Sequence, residues 1–280
     1  MHGYCVSWCI NNFDTVEKRQ KLMEVKILYE FCPLCGSKKL SKSITGDCSK
    51  HPRYVDLIPP IMQWIDCHDC DHQFVEGYFS DDALKVIFSQ VGQRQTVGFD
   101  LEGQRKVSAK IVEKVIPFKD NGLWLDVGFG NGSLIFTAEE YGFEVMGVDL
   151  RLQSVAAMKR LGYTVYCELV QNLQLNSRLS IVSLMDVLEH VPYPKEVLRY
   201  LYENMEVGGC LVLSMPNSEN LLWKLMTEQK KNPYLGELEH CHNFSRSRLI
   251  ALLQECGFQS VRYGISERYR CCMEIVALRK

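Results

Sequence analysis

No stretch of this chain approaches the roughly 18 consecutive apolar residues of a membrane-crossing helix. Neither sign of charge is in excess, since 32 Lys and Arg stand against 34 Asp and Glu, for a formal net charge of −2. The chain as a whole is therefore not a polycation built for nucleic acid. The apolar residues at 1–10 have no Lys or Arg ahead of them and are too few for a secretory signal core. Internal repeats and low-complexity tracts are missing. What is left is an ordinary globular balance, with 46% hydrophobic and 24% charged residues.

Cysteine is the one residue present in surplus, thirteen in 280 residues. Without an export signal, reduced thiols in a cytoplasmic protein are expected, and an odd number cannot all pair within one chain. Four of the thirteen form two knuckles, Cys32-Pro33-Leu34-Cys35 and Cys67-His68-Asp69-Cys70, with 31 residues (36–66) between them. Four thiolates at about 2.3 Å satisfy the tetrahedral preference of Zn²⁺, and such a closed set is structural. Cys48-Ser49-Lys50-His51 is a rival pair. Residues 1–80 carry nine Lys and Arg against ten Asp and Glu, a net of −1 with no basic stripe. That disfavours nucleic acid as the partner of a zinc ribbon here.

Along the chain, residues 1–80 read as an N-terminal helix followed by the cysteine-bearing ribbon. Asp14 and Glu17 have the spacing of a capping box, and Met23 offers a second start. Residues 81–120 read as a helical linker, with helices over Asp81–Gln90 and Gln104–Ile116; Pro117 stops the second. From residue 121 to 280, strands and helices alternate. Strands are expected at Leu123–Val127, Glu144–Val148, Thr164–Cys167, Ile181–Met185 and Cys210–Ser214, with helices between most of them. A helix over Ser245–Cys256 and two strands near Ser260–Gly264 and Cys272–Leu278 follow, the strands as an antiparallel pair at the sheet edge. The fold class is α/β: a Rossmann-like, mostly parallel seven-stranded sheet with helices on both faces, plus the small ribbon.

The sharpest motif is Leu125-Asp126-Val127-Gly128-Phe129-Gly130-Asn131-Gly132, which leaves a strand and enters a helix. Glycines permit the tight turn and the close approach of a ligand. A dinucleotide fingerprint would place its third glycine at Ser133, which weakens a nicotinamide reading. The second strand ends in Asp149, where a carboxylate can accept hydrogen bonds from both ribose hydroxyls.

These residues resemble motif I and the acidic second-strand end of class I S-adenosylmethionine (SAM) methyltransferases. The resemblance continues through Asp186-Val187-Leu188-Glu189-His190-Val191-Pro192, Gly208-Gly209 with Ser214-Met215-Pro216-Asn217, Glu239-His240, Phe244-Ser245 and Gly257-Phe258. Together they look like the ubiquinone-biosynthesis O-methyltransferase branch, over roughly Leu123–Leu278. The resemblance implies that Gly128 and Gly130 line the methionine part of SAM, Asp126 orients the loop or the amino group, Asp149 holds the ribose, and Met185 and Asp186 approach the methionine or sulfonium. The acidic residue the family often places near adenine is missing. Glu168 stands early, so Gln171 is taken for that position. Phe129 replaces the usual Cys or Ser.

His190 and His240 are the candidate catalytic groups, each able to take a proton from an acceptor. Asp186, Glu189, His190 and a later His also resemble the metal set of small-RNA 2′-O-methyltransferases, which suits Mg²⁺, Mn²⁺ or Zn²⁺. The long segment 217–238, with Leu221, Leu222, Trp223, Leu225 and Met226, is expected to cap the acceptor pocket. The four-cysteine front resembles the zinc ribbon of bacterial sugar-modifying methyltransferases, which helps to enclose the acceptor. The expected function is SAM-dependent methyl transfer to a small-molecule acceptor, a sugar or hydroxylated metabolite, with structural Zn²⁺ and no membrane or nucleic-acid partner. The alternatives are an RNA or protein methyltransferase that uses the ribbon for recognition, and a SAM-binding protein without turnover.

Overall fold

The computed structural model describes residues 26–56, 58–80, 83, 84, 87, 92–269 and 271–280. The helix expected within residues 1–30 lies outside the described residues, and so does most of the one expected over 81–90. Among the described residues no helix is long and apolar enough to cross a membrane.

The front of the chain forms two small sheets. β1 (Lys26–Leu28) pairs antiparallel with β5 (Gly77–Phe79), and β2 (Leu40–Asp47), β3 (Ile61–Cys67) and β4 (Gln73–Val75) form an antiparallel meander. The meander takes a fourth strand from far along the chain, β11 (His242–Asn243), at the free edge of β4. No separate zinc-ribbon module is therefore distinguished. Three short strands cannot bury a core of their own. Cys32, Leu34, Cys67 and Phe74 instead join the same apolar cluster as Leu198, Phe244 and Leu249. On the other face Met62 and Trp64 pack with Trp223, Leu235 and Leu238.

The large sheet contains β6 (Leu123–Val127), β7 (Glu144–Val148), β8 (Val165–Tyr166), β9 (Leu179–Met185), β10 (Met205–Pro216), β12 (Phe258–Ile265) and β13 (Cys272–Arg279). Its order is β12-β13-β10-β9-β6-β7-β8. Pairs from β10 to β8 are parallel, while β13 runs antiparallel to both β10 and β12. The continuous apolar runs of β6 and β9 suit strands covered on both faces. Helices α1 (Leu101–Val115), α2 (Ser133–Glu140), α3 (Leu152–Arg160), α4 (Pro194–Asn204), α5 (Leu221–Glu228) and α6 (Arg246–Glu255) connect and flank the strands. Local chemistry sets their starts. Pro194 opens α4, the Asn220 side chain accepts from Trp223 N at the start of α5, and Ser245 Oγ accepts from Arg248 N at the start of α6.

β10 begins five residues before its expected start. A register shift between Met205 and Cys210 absorbs Gly208 and Gly209, so what reads as a turn is a bulge within the strand. The strand order reverses around β6, whose neighbours are β7 and β9. The crevice at the carboxyl ends of these three strands is where a ligand is expected in such a sheet.

Helix α1 docks through Ile111, Val112 and Val115, and its Lys114 forms an ion pair with Glu274 of β13. The Glu274 side chain is only 3% exposed, so loss of that ammonium would leave the carboxylate without this partner. Lys114→Met should lower stability by roughly 3 kcal/mol, the cost of an uncompensated buried carboxylate. Chemical denaturation measures this, and an unchanged midpoint would show that the pair carries no such weight.

Candidate active site

β6 delivers the glycine loop. Gly128 sits at φ +71°, and a Cβ there would lie 2.7 Å from Val187 Cγ2, so both backbone geometry and space require glycine. Its N–H donates to Val148 O (2.7 Å), and the Gly130 N–H donates to Asp149 Oδ2 (3.0 Å). The loop and the end of β7 are thus locked together. Asp149 is buried and also receives the Arg151 side chain.

Asp126 is buried as well and accepts from Ser183 Oγ (2.6 Å), which in turn accepts from Trp124 Nε1 (2.9 Å). Burial lifts its pKa to about 7. Met185 ends β9, and Asp186 follows with φ +59°, strained for a non-glycine residue. Ser214 holds it: the hydroxyl donates to Asp186 Oδ1 (2.8 Å), and the Asp186 N–H donates to Ser214 O (2.9 Å). Arg268 stands 3.7 Å from its other oxygen. Gln171 lies half-buried in a 3₁₀ turn, Val170–Asn172, after β8.

His190 and His240 meet, their rings 4.8 Å apart and nearly perpendicular. The Cys241 N–H donates to Glu189 O (2.8 Å), tying the two segments together. Ligand atoms of Glu189, His190 and His240 all lie within 4.8 Å of one another. Asp186 stands outside this group. Glu189 Oε2 and His240 Nδ1 are buried without a hydrogen-bond partner among the described residues. Burial pushes the Glu189 carboxyl well above its ordinary range and lowers His190 to about 4. His240 falls to about 3, from burial and from the neighbouring His190. Both imidazoles are therefore neutral at neutral pH.

Several residues that the sequence reading passed over surround this group. His51 Nε2 donates to Glu237 Oε1 (2.7 Å), and Arg53 pairs with Glu239 and reaches Gln95 Oε1 (3.0 Å). Burial opposes the charge of Glu237, but the His51 hydrogen bond and the nearby imidazoles outweigh it and hold the carboxyl at about 2. His51 thus turns to Glu237 rather than to a metal set with Cys48, whose thiol points to the carbonyls of Pro59 and Pro60. In the segment 217–238, expected as a cap, Trp223 is the one buried residue of α5. It stacks on Tyr234 (5.3 Å), which stacks in turn on His240 (6.3 Å). Leu221, Leu222 and Leu225 remain exposed. The dense run Glu237-Leu238-Glu239-His240-Cys241-His242 was the available signal for these residues.

Away from this face, Cys32, Cys35, Cys67 and Cys70 converge, with Cys32–Cys70 and Cys35–Cys67 sulfur separations of 3.7 and 3.5 Å. A tetrahedron with arms of about 2.3 Å has edges near 3.8 Å, so the four sulfurs have the spacing of a zinc site. A cavity of about 320 Å³ between α1 and α2, lined by Leu101, Arg105, Phe136 and Glu140 among others, touches neither centre.

A profile of the family described as "Methyltransferase domain" matches residues 100–263. The chain belongs to this methyltransferase-domain family. The class expected from the motifs, a SAM-dependent methyltransferase, agrees with it. Curated relatives include the mitochondrial ubiquinone biosynthesis O-methyltransferase of Candida albicans, 33% identical over 35% of this chain and 34% of that protein. The ubiquinone biosynthesis O-methyltransferase of Vibrio cholerae is 28% identical over 61% of this chain and 80% of that protein. The alignments span only 34% and 58% of the length of the first two such relatives. Among solved structures, the SAH-bound magnesium protoporphyrin IX methyltransferase from Synechocystis PCC 6803 has the same fold. It has a TM-score of 0.52 and 21% identity, over 64% of this chain and 84% of that one. A SAM-dependent methyltransferase from Clostridium acetobutylicum has a TM-score of 0.50 and 14% identity, over 70% and 95%. The seven-stranded mixed sheet with flanking helices is thus the class I methyltransferase fold.

Within this methyltransferase-domain protein the glycine loop is constrained at Gly128 by both its positive φ and Val187. Gly128→Ala should cost a few kcal/mol of stability and displace Val187, which sits at the start of the turn carrying Glu189 and His190. Thermal unfolding reads the loss; a wild-type melting temperature would mean that the loop relaxes freely.

Proposed function

We propose that this protein transfers a methyl group from SAM to a hydroxylated small molecule, and that the four-cysteine cluster holds a structural Zn²⁺. The observation that carries the proposal is the joining of the glycine loop to Asp149 beside the group of buried Glu189, half-buried His190 and buried His240, at the carboxyl ends of β6, β7 and β9. The ribbon (1–80), linker (81–120) and methyltransferase domain (121–280) form one working unit in this reading. SAM, when bound, supplies a methyl group already activated on a sulfonium. The chain must then bind and align. Asp149 takes the ribose hydroxyls, Gly128 and Gly130 leave room for the methionine portion, and Asp126, Met185 and Asp186 bound that end. Gln171 stands toward the adenine. Alignment of this kind supplies on the order of 7–11 kcal/mol.

His190 and His240 face the acceptor in this reading. As free imidazoles they are available but weak bases. Taking a proton from a phenol of pKa about 10 onto a group near 4 is uphill by roughly 8 kcal/mol. A second reading follows from Glu189 Oε2 and His240 Nδ1, without a partner among the described residues, beside a neutral His190. This is the donor set of a divalent cation, which would lower the acceptor hydroxyl's pKa.

Three measurements test the reading. Calorimetry should show SAM and SAH binding, weakened at least tenfold by Asp149→Ala, as a charge-assisted contact to the ribose is lost. Methyl-labelled SAM should then transfer label to a catechol, phenol or sugar in a metabolite panel. Transfer to RNA or protein alone would favour a macromolecular acceptor, and binding without transfer a non-catalytic protein. Metal analysis separates the two centres. One zinc per chain is expected, lost in Cys70→Ser, and a second, exchangeable ion lost in His240→Ala would establish the metal-assisted route. Zinc-free folded protein would overturn the cysteine site.

A further inference from the structure

The carboxylate of Asp149 has about four acceptor positions, and all four are filled. Oδ2 accepts from Gly130 N (3.0 Å) and Arg151 Nη2 (2.8 Å). Oδ1 accepts from Arg151 N (2.8 Å) and Arg151 Nε (2.8 Å). Two of these donors are backbone and fixed by the loop and by the start of α3. The other two belong to one guanidinium fork, whose side chain can swing. Both partners are largely shielded from water, with side-chain exposures of 2% for Asp149 and 12% for Arg151.

A ribose diol needs acceptor positions on this carboxylate. Those that can be vacated without dismantling the glycine loop or the start of α3 are the ones held by the fork. We infer that Arg151 occupies the ribose position of the cofactor site and must be displaced for SAM to bind, so that this arginine sets cofactor affinity by competition. The inference rests on the SAM reading given above.

The placement of Arg151 supports it. The residue stands at the N-cap of α3, where the helix dipole disfavours a cation and where Ser, Thr, Asp or Asn would stabilise the helix. Its side chain makes no cap of its own. The fork to Asp149 is therefore what holds a positive charge at this end. The charge is also close enough to act on Arg53 and His190. Cofactor binding would thereby rearrange charge next to His190.

SAH titration of four proteins tests the inference: wild type, Arg151→Met, Asp149→Asn and the double variant. Arg151→Met keeps most of the aliphatic stem and removes a cation from the helix start, so α3 should persist. Arg151→Gln is a second variant, and circular dichroism melting confirms that each is folded. If the fork is closed about nine-tenths of the time, removing it tightens SAH by about tenfold. The gain should shrink below twofold in the Asp149→Asn background, where the contested carboxylate is gone. Unchanged or weaker SAH binding in both Arg151 variants would overturn the displacement. Absence of SAH binding to wild type, or full affinity in Asp149→Asn, would overturn the ribose assignment itself.

Discussion

The active face depends on a two-residue strand. His242 and Asn243 pair with Phe74 and Gln73, and the Asn243 amide donates to the Gln73 side chain (2.7 Å). The Val75 N–H donates to Cys241 O (2.9 Å), extending the contact by one residue. These bonds fix residues 241–243 on the front sheet. The Cys241 N–H in turn donates to Glu189 O, so the same segment is fixed to the turn after β9. His240 immediately precedes both attachments. A free β10–α6 connection of this length would carry a large entropic cost for holding one imidazole in place. Pinning it at adjacent backbone positions shifts most of that cost onto folding.

Burial then sets the chemistry. Charged imidazoles cannot be solvated here, so His190 and His240 remain neutral lone-pair donors, while the carboxyl of Glu189 favours its protonated form. Around this group four carboxylates have a cationic or imidazole partner: Glu237 with His51, Glu239 with Arg53, Asp149 with Arg151, Asp186 with Arg268. The site is therefore a neutral, ligand-rich floor within a ring of compensated pairs. At low dielectric such a floor disfavours any charge that develops on it without a counter-ion.

The large sheet was legible because its signals are local. β6 and β7 coincide with the expected strands to the residue, since short apolar runs bounded by Gly and Asp leave little freedom of placement. The glycine loop and Asp149 were legible for the same reason, as backbone geometry and a strand end are written in adjacent residues. What surrounds the imidazoles was not legible. His51 and Glu237 are 186 residues apart, as are Arg53 and Glu239. No periodicity records a contact at that separation. His51 even looked like part of a cysteine knuckle, because Cys-x-x-His is a local pattern while its true partner is remote. β11 was hidden too, for two residues borrowed as an edge strand have no alternation of their own. β10 was shortened because Gly208-Gly209 marks a turn and a bulge equally well.

The cysteine cluster, although remote from the strand ends, is not mechanically remote. Cys67 ends β3, and its N–H donates to His72 O (2.9 Å), closing the turn that carries Cys70. His72 is buried, and its Nε2 contacts His242 Nδ1 at 2.9 Å, while His242 Nε2 donates to Val191 O (2.9 Å). Because Nε2 of His242 must carry the proton for Val191, its Nδ1 is the acceptor, and His72 donates through Nε2. The chain of bonds thus runs one way, from the knuckle turn through two imidazoles to the backbone just past His190. β4 begins one residue after His72 and holds β11. Any ion that fixes the four sulfurs therefore fixes the turn, the register of β4 and the edge on which His240 hangs. A cluster of this kind needs no contact with substrate to govern the site, because the strand it anchors is the one the imidazole depends on.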